Sequence, residues 1–600
     1  MLIHESRRLT GRNLISSRPG AVLDVHLQAG EEAAGATLIA GWRRQARRML
    51  DAAGWGEEEI AVRRFGSGAS LFLSAPLDGL YTATEIADWA WEAAMLAGAD
   101  IEAGGAGGAG GTGGAREARG AAGAEGSPGA GGAAGVADAA AFAAAAERLR
   151  AATARERSPA LQALRQAAAA HGVSLLADDD LVTVGLGAGS LTWPRGELPP
   201  PAAVDWAAVR DIPVALVTGT NGKTTTVRLA VAILEAAGRQ VGSTSTDRIE
   251  IGREVLDTGD YSGPGGARTL LRDRRVEVAV LETARGGLLR RGLALDRVAA
   301  AAVTNVAADH LGEYGIESVG DVAEAKLLVT RAVVPTGRAV LNADDPELAA
   351  RGTQGPSPVT WFSLGEVGAH LAAGGDAVLL DGETIVLAHA GRRLPVAKLT
   401  EVPLTFGGAA RFNVANALAA VGLGSALGAP HEALGAGLAA LRNDQGTDNP
   451  GRCFVTEIDG YRVLLDYAHN PHGLEALIAL AASLPAARRL LLLGQAGDRS
   501  DEAIRQLART AWSLRPDRVI LKELPTMLRG RLPGEVPALL KDELLRLGAP
   551  AEHLSHAGTE VEAVSQALAW ARPGDLLLLL VHKQRDEAMA MLNQQRGGWR

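Results

Sequence analysis

Two rhythms of apolar residues organise this chain. Short, almost unbroken runs of Val, Leu and Ala, namely PVALVTG (213–219), VEVAVLET (276–283), VAAAAVTNV (298–306) and AVLNADD (339–345), read as strands buried on both faces. Helical or loop sequence follows each run, and this alternation predicts a parallel sheet covered by helices over 206–446. After a boundary near 444–451, YRVLLDYAH (461–469), RRLLLLGQAG (488–497), DRVILKE (517–523) and GDLLLLLVH (574–582) resume the rhythm. They predict a second, Rossmann-like α/β unit over 447–600.

The first part of the chain is patterned differently. VLDVHL (22–27) and LFLSAPL (71–77) read as strands, ATLIAGWRRQARRMLDAAGW (36–55) and TATEIADWAWEAAMLAG (82–98) as helices. Together they predict a small α/β or α+β domain over 1–97. Between 98 and 140 the sequence collapses into Gly and Ala around GGAGGAGGTGGA, a composition that cannot offset chain entropy by burial, so a flexible insertion is expected. The N-terminal region resumes over 141–205, helical to about 172, with LVTVGLG (181–187) as a strand. The proline cluster in PRGELPPPAAVDW (194–206) then closes it.

Bulk properties narrow the function. Six hundred residues need several cores. A formal net charge of −9 gives no basic footprint for nucleic acid. No apolar run reaches the roughly 18 residues of a membrane span, and the N-terminal MLIHESRRLTGRN lacks the apolar core of a secretory signal. The single cysteine, Cys453, cannot form an internal disulfide, so a cytoplasmic setting is expected.

The most specific chemistry lies at 214–226, VALVTGTNGKTTT. An apolar strand runs into Gly219, Thr220, Asn221, Gly222, Lys223, Thr224 and Thr225, and a helical stretch follows. Backbone N–H groups of such a loop cradle phosphate oxygens, the lysine reaches the terminal phosphates and the Thr224 hydroxyl suits Mg²⁺. The common pattern has a glycine six residues before the lysine, whereas Val217 stands there, so this is a shorter G-x-x-G-K-T form. Glu282 ends one strand-like run and Asp309-His310 follow another, so they are expected at the same carboxyl edge as the loop, where a carboxylate and an imidazole suit a metal beside phosphate. Arg290 and Arg291 could face an anionic substrate or simply water.

These residues, with GDYSGPGGART (259–269), LETARGGLLRRG (281–292), TNVAADHLG (304–312), LNADDP (341–346), ARFNVANALAA (410–420), LLDYAHNPHG (464–473) and LRGRLPGEV (528–536), resemble the Mur ligase superfamily. The likeness is greatest to the Mur-like C-terminal part of cyanophycin synthetases. It implies an ATP- and Mg²⁺-dependent ligase that joins a carboxylate to an amine through an acyl phosphate, acting on amino acids or peptides, possible homo-oligomers included. It further implies that Lys223 and Thr224 bind phosphate and Mg²⁺, and that Glu282, His310 and a carbamylated Lys326 complete the metal sites. By the same resemblance, Asn416 would lie near the adenine, Arg452 and Asp466 would reach ATP from the C-terminal unit, and His469 would stand beside the incoming amine. The expected fold is α/β: a central P-loop parallel-sheet domain, a C-terminal Rossmann-like domain that closes on it about a hinge near 444–451, and the small N-terminal domain. No ATP-grasp motif is found in residues 1–205, so both additions of a cyanophycin synthetase are not expected of this chain alone. Two other readings use the same loop: a P-loop hydrolase or kinase, which leaves the DYAHNP and LNADDP motifs without a task, and a non-catalytic nucleotide-binding accessory of a separate cyanophycin-type synthetase.

Overall fold

The computed structural model describes residues 2–3, 6–27, 32–105, 130–442, 449 and 451–597. Its centre is an eleven-stranded sheet. From Val241–Thr244 through Val278–Glu282, Val214–Thr218, Val298–Val303, Val333–Asn342 and Val359–Ser363 to Asp376–Asp381 every neighbouring pair is parallel. Antiparallel hairpins extend both edges, Arg248–Ile251 with Glu254–Thr258 on one side and Thr384–His389 with Arg392–Lys398 on the other. The strand Val214–Thr218 sits between Val278–Glu282 and Val298–Val303, where the order of connection reverses. That reversal opens a crevice at the carboxyl ends of these strands.

Alternation along the strands explains their apolar runs. Leu216, Leu281 and Val303 enter the core on one face, while Val217, Val280 and Ala302 enter the core on the other. A sheet buried on both faces leaves no polar positions to alternate with. On the second face the helix Lys223–Ala236 packs on Arg411–Ala426 and His431–Ala440. A Cβ at Gly437 would lie 2.3 Å from Ile233 Cα, so the close approach of the helices depends on that glycine.

The C-terminal unit is a six-stranded sheet in the order Phe454–Ile458, Tyr461–Asp466, Leu576–Leu580, Arg489–Leu493, Arg518–Lys522, Leu554–Ala557. Only its first pair is antiparallel. The leucine run Leu576–Leu580 is a fully buried strand. Among the described residues no helix is long and apolar enough to cross a membrane. The N-terminal unit pairs its strands, Gly20–His26 and Gly68–Ser74 among them, antiparallel throughout, so of the two classes expected it is α+β. Helices Glu32–Ala52 and Leu80–Gly105 pack together beside it, and buried Trp42 donates to Ala87 O at 3.1 Å. Residues 106–129 of the Gly/Ala-rich stretch lie outside the described residues, and the flanks to Gly105 and from Ala130 are helical. Leu181–Val184 belongs to a small three-stranded meander that leads into the central unit. The expected hinge, Asn449 and Gly451 apart, also lies outside the described residues.

Candidate active site

At the crevice the strand Val214–Thr218 ends in a loop shaped by its two glycines. Gly222 has φ of 83° and caps the helix Lys223–Ala236. A Cβ there would lie 2.1 Å from Asn416 Oδ1, and one at Gly219 (φ 152°) would lie 1.8 Å from Thr304 Oγ1. The loop is clamped from the next strand: Asn221 N donates to Asn305 Oδ1 at 2.9 Å, while Asn305 Nδ2 and Thr304 Oγ1 donate to Asn221 O at 3.0 and 2.6 Å. Lys223 Nζ donates to Gly219 O and Thr220 O, each at 3.1 Å, so the ammonium is curled back over the loop. Burial lowers its pKa, and Glu282 opposes that shift.

Beneath the loop, Thr224 Oγ1 donates to Glu282 Oε2 at 2.7 Å. Glu282 is 2% exposed, and its Oε1 is buried with no hydrogen-bond partner among the described residues. A buried carboxylate oxygen left unpaired costs free energy unless something positive meets it. Thr246 Oγ1 stands 3.3 Å from Thr224 Oγ1 and accepts from Arg452 Nη2 at 3.0 Å. Arg452 arrives from the chain entering the C-terminal unit; burial would weaken its charge, but Asp247 and Glu282 outweigh that and raise its pKa. Asp247 also pairs with Arg228 at 2.8 Å and Arg585 at 2.9 Å. Burial would raise the Asp247 pKa, yet the three guanidinium groups drive it below the usual carboxylate range. Burial in turn lowers that of Arg228 to about 9.

The loop after Val298–Val303 forms the other side. His310, at φ 52°, places Nδ1 3.1 Å from Glu313 Oε1. Arg285 Nη1 donates to His310 O at 2.7 Å and Nη2 to Glu313 Oε2 at 2.9 Å. Asp309 Oδ2 faces His469 Nε2 at 3.9 Å across the gap between units. Burial lowers the His469 pKa to about 4, which keeps the imidazole neutral near pH 7. Lys326, 4% exposed on the helix Val319–Leu327, has its pKa pushed well below the ordinary lysine value, first by burial and then by Lys223. Asp466 accepts Cys453 N and Ala468 N at 2.7 Å each, and burial raises its pKa. The C-terminal unit also meets the phosphate loop directly. Asn221 and Asn470 exchange amide hydrogen bonds at 3.2 and 3.0 Å, and Asn470 caps the helix Pro471–Ser483.

One cleft of about 720 Å³ is lined by Gly219, Thr220, Asn221, Gly222, Lys223, Thr224, Thr225, Glu282, His310, Lys326, Asn416, Arg452, Asp466 and His469. The phosphate-loop, metal and nucleotide candidates read from the sequence are therefore all on its wall, Arg290 and Arg291 being the exceptions. Asn416 meets the loop side of this wall, its Oδ1 3.4 Å from Thr226 Oγ1 and its Nδ2 donating to Asn413 at 3.1 Å.

Comparison with known proteins agrees with this division. The Mur ligase middle domain matches residues 217–424 and the Mur ligase glutamate ligase domain residues 451–580. A UDP-N-acetylmuramoyl-L-alanyl-D-glutamate--2,6-diaminopimelate ligase from Thermosynechococcus vestitus is 30% identical over 377 residues, 60% of this chain and 70% of that one. The chain belongs to the Mur ligase family. Cyanophycin synthetase from Trichormus variabilis is 36% identical over 373 residues, 62% of this Mur ligase homologue but 41% of the synthetase, so the chain spans about two fifths of that relative's length. Among solved structures, E. coli FolC in complex with DHPP and ADP gives a TM-score of 0.49 at 22% identity, covering 64% of this chain and 89% of that one.

Across both Mur ligase domains the sequence leaves several groups without an evident task. Thr304 and Asn305 stand in a quoted motif, yet their grip on the loop spans 83 and 84 residues and carries no periodic signal. Asp247, which gathers Arg228, Arg452 and Arg585, and Arg499, which reaches Asp309 and His310, were not singled out at all. Arg499 follows a glycine-rich turn at a strand end, and that position was the one available signal. Arg290 and Arg291 do not line the cleft.

Proposed function

We propose that this protein is an ATP- and Mg²⁺-dependent ligase that activates a carboxylate as an acyl phosphate and joins it to an amine. The observation that carries the reading is the Thr224–Glu282 pair beneath the phosphate loop, with Glu282 Oε1 unpartnered, in a cleft walled by both units. A hydroxyl and a carboxylate are hard oxygen donors, so these residues fit Mg²⁺. Thr224 and Glu282 would hold the ion, which when bound supplies charge neutralisation at the phosphates.

The chain's own groups fit the remaining work. The loop N–H groups and Lys223 take the terminal phosphates of ATP, bringing a cation to the place where two anions must meet. The acceptor carboxylate oxygen attacks the terminal phosphorus, the bond to the ADP oxygen breaks, and an acyl phosphate and ADP result. A neutral amine then attacks the carbonyl carbon, loses a proton, and expels phosphate. His469 is held neutral with Nε2 towards the cleft, since Nδ1 lies against Tyr467 O at 3.2 Å, and this suits accepting a hydrogen bond from the incoming amine. Arg452 and Asp466 reach the nucleotide from the C-terminal unit, while Asn416 braces the loop against the nucleotide's base. The Asn221–Asn470 contact holds the units together and excludes water that would hydrolyse the intermediate.

Lys326 fits a modified role. Burial beside Lys223 favours its neutral amine, which can add to carbon dioxide with loss of one proton to give a carbamate. The anion would offset Lys223 and add an oxygen donor. His310 does not fit a metal in the present arrangement, because Arg499 stands against both ring nitrogens.

The substrates we propose are an amino acid or peptide acceptor and an amino-acid amine, with a separate cyanophycin-type synthetase as a candidate source of acceptor. The test is ADP release from Mg²⁺-ATP by the purified chain with single amino acids, aspartate-containing peptides and cyanophycin primers, with Lys223→Ala as control. Acceptor-dependent ADP release with a new amide mass supports the reading; ADP release at one rate regardless of acceptor, with no amide, contradicts it.

A further inference from the structure

The loop Gly497–Ser500 of the C-terminal unit is built with more care than a surface turn needs. Arg531, from the LRGR segment, donates Nε to Gly497 O at 3.0 Å and Nη2 to Arg499 O and Asp501 Oδ1, each at 2.7 Å. Gly497 N donates to Met527 O at 2.9 Å, and Ser500 caps the helix Asp501–Trp512. This frame projects the Arg499 side chain, 11% exposed, onto the central unit. There Nη1 lies 3.0 Å from His310 Nδ1, and Nη2 lies 2.7 Å from His310 Nε2 and 3.4 Å from Asp309 Oδ1.

Donor counting limits what these contacts can be. A guanidinium offers five N–H groups and no acceptor, and a neutral imidazole has one acceptor nitrogen. Glu313 Oε1, 3.1 Å from Nδ1, can take the ring N–H only if Nδ1 carries it. Nε2 is then the acceptor nitrogen, and Arg499, held against both nitrogens at once, lies over the ring with its positive charge beside Nε2. The Nη1–Nδ1 contact becomes donor against donor. A metal on His310 needs the Nε2 lone pair, and a second cation there would stand against the guanidinium and be repelled by it. The surroundings favour a cation of either kind: one ligand atom each of His310, Glu313 and Asp498 lies within 4.8 Å of the others, with Asp309 alongside.

We propose that Arg499 and a divalent cation are alternative occupants of His310 Nε2. Seated as it is here, the arginine serves as an internal cation that ties the C-terminal unit to the Asp309–His310 loop. Loading the metal withdraws it, and Arg531 positions it for return. The contact between units at this edge is therefore exchanged with metal occupancy, which makes Arg499 a positioning residue. The proposal rests on the ligase reading for the metal-dependent reaction, and adds His310 as a ligand that becomes available only when Arg499 has withdrawn.

The test is Mn²⁺ binding, followed by the electron paramagnetic resonance of the free ion, to the full chain in the presence of a non-hydrolysable ATP analogue and without turnover. Arg499→Met keeps the aliphatic stem and removes the competing cation. It is expected to bind Mn²⁺ about tenfold tighter, the factor that one charge-assisted hydrogen bond represents. The gain should vanish in Arg499→Met/His310→Ala. Should the methionine variant fail to fold by thermal melting, Arg499→Lys serves: its single-point head cannot span both ring nitrogens, so a smaller tightening in the same direction is expected. Unchanged or weaker Mn²⁺ binding in these variants, with binding lost in Glu282→Gln, overturns the proposal and leaves the ligase reading standing. Absence of any Mn²⁺ binding that depends on Glu282 or His310, in the wild type as in the variants, overturns the metal assignment and this proposal together.

Discussion

Replacing Gly222 by alanine adds one methyl group, and the structure says what that methyl must displace. The residue sits at φ 83°, where an L-residue other than glycine costs about 1–2 kcal/mol. Its Cβ would stand 2.1 Å from Asn416 Oδ1 and 3.0 Å from Asn416 Cγ. Asn416 must then rotate, breaking its 3.1 Å bond to Asn413 Oδ1 and leaving buried amide groups unpaired, at about 1–3 kcal/mol. The sum is about 2–5 kcal/mol, equivalent to roughly thirtyfold or more in nucleotide affinity if the strain falls on the binding-competent loop. Two assays separate the parts: isothermal titration with ADP, and denaturant unfolding followed by far-ultraviolet circular dichroism. In Gly222→Ala/Asn416→Ala the methyl has room, so the double variant should be better than the sum of the single effects by the steric part, while the torsional part of about 1–2 kcal/mol persists. Wild-type ADP affinity and stability in Gly222→Ala would refute the reasoning, as would strict additivity in the double variant.

The other expectations are briefer. Glu282→Gln, nearly equal in shape, removes the charge beside Thr224; turnover should fall on the order of a hundredfold and the Mg²⁺ requirement rise, read by Mg²⁺ titration, while ADP binding without metal changes little. Asp247→Asn leaves Arg228, Arg452 and Arg585 without their carboxylate, and a loss of about 3–5 kcal/mol is expected in thermal or denaturant unfolding, partly recovered by adding Arg585→Gln. His582 is pushed down to about 3 from 6.5, first by burial and then by Lys522, so the unfolded chain takes up this proton below pH 6.5 while the folded one does not. Its contribution to stability is complete above pH 6.5 and is lost progressively as pH falls below that value. Unfolding midpoints at pH 7 and pH 5 should therefore converge in His582→Gln relative to wild type.

What was legible in the sequence follows the range of the interactions involved. The phosphate loop, its strand and its helix lie within adjacent residues, and buried parallel strands announce themselves by apolar runs, so the central and C-terminal sheets could be read directly. Glu282 and His310 could be placed because a parallel sheet brings all carboxyl ends to one edge. The hairpins Arg248–Thr258 and Thr384–Lys398 were not anticipated, since their outer strands Glu254–Thr258 and Arg392–Lys398 are mostly exposed and lack the apolar runs of the central strands. The cross-unit contacts were invisible for a different reason. Asn221 with Asn470 spans 249 residues and Arg499 with His310 spans 189, and each depends on how two separately folded units face one another. Glu282 showed its type and place in sequence, but not that one of its oxygens is left buried and unpaired. That fact came only from the packing around Thr224 and Thr246.

Activation through an acyl phosphate is most directly tested with an acceptor carrying ¹⁸O in its reacting carboxylate, incubated with the protein, Mg²⁺-ATP and the amine. The carboxylate oxygen that attacks the terminal phosphorus leaves with it when the amide forms, so one ¹⁸O per turnover is expected in the released phosphate, alongside an amide of the corresponding mass. Phosphate free of ¹⁸O, with ATP consumed and the acceptor unchanged, would mean that the cleft splits ATP with water and would contradict the account.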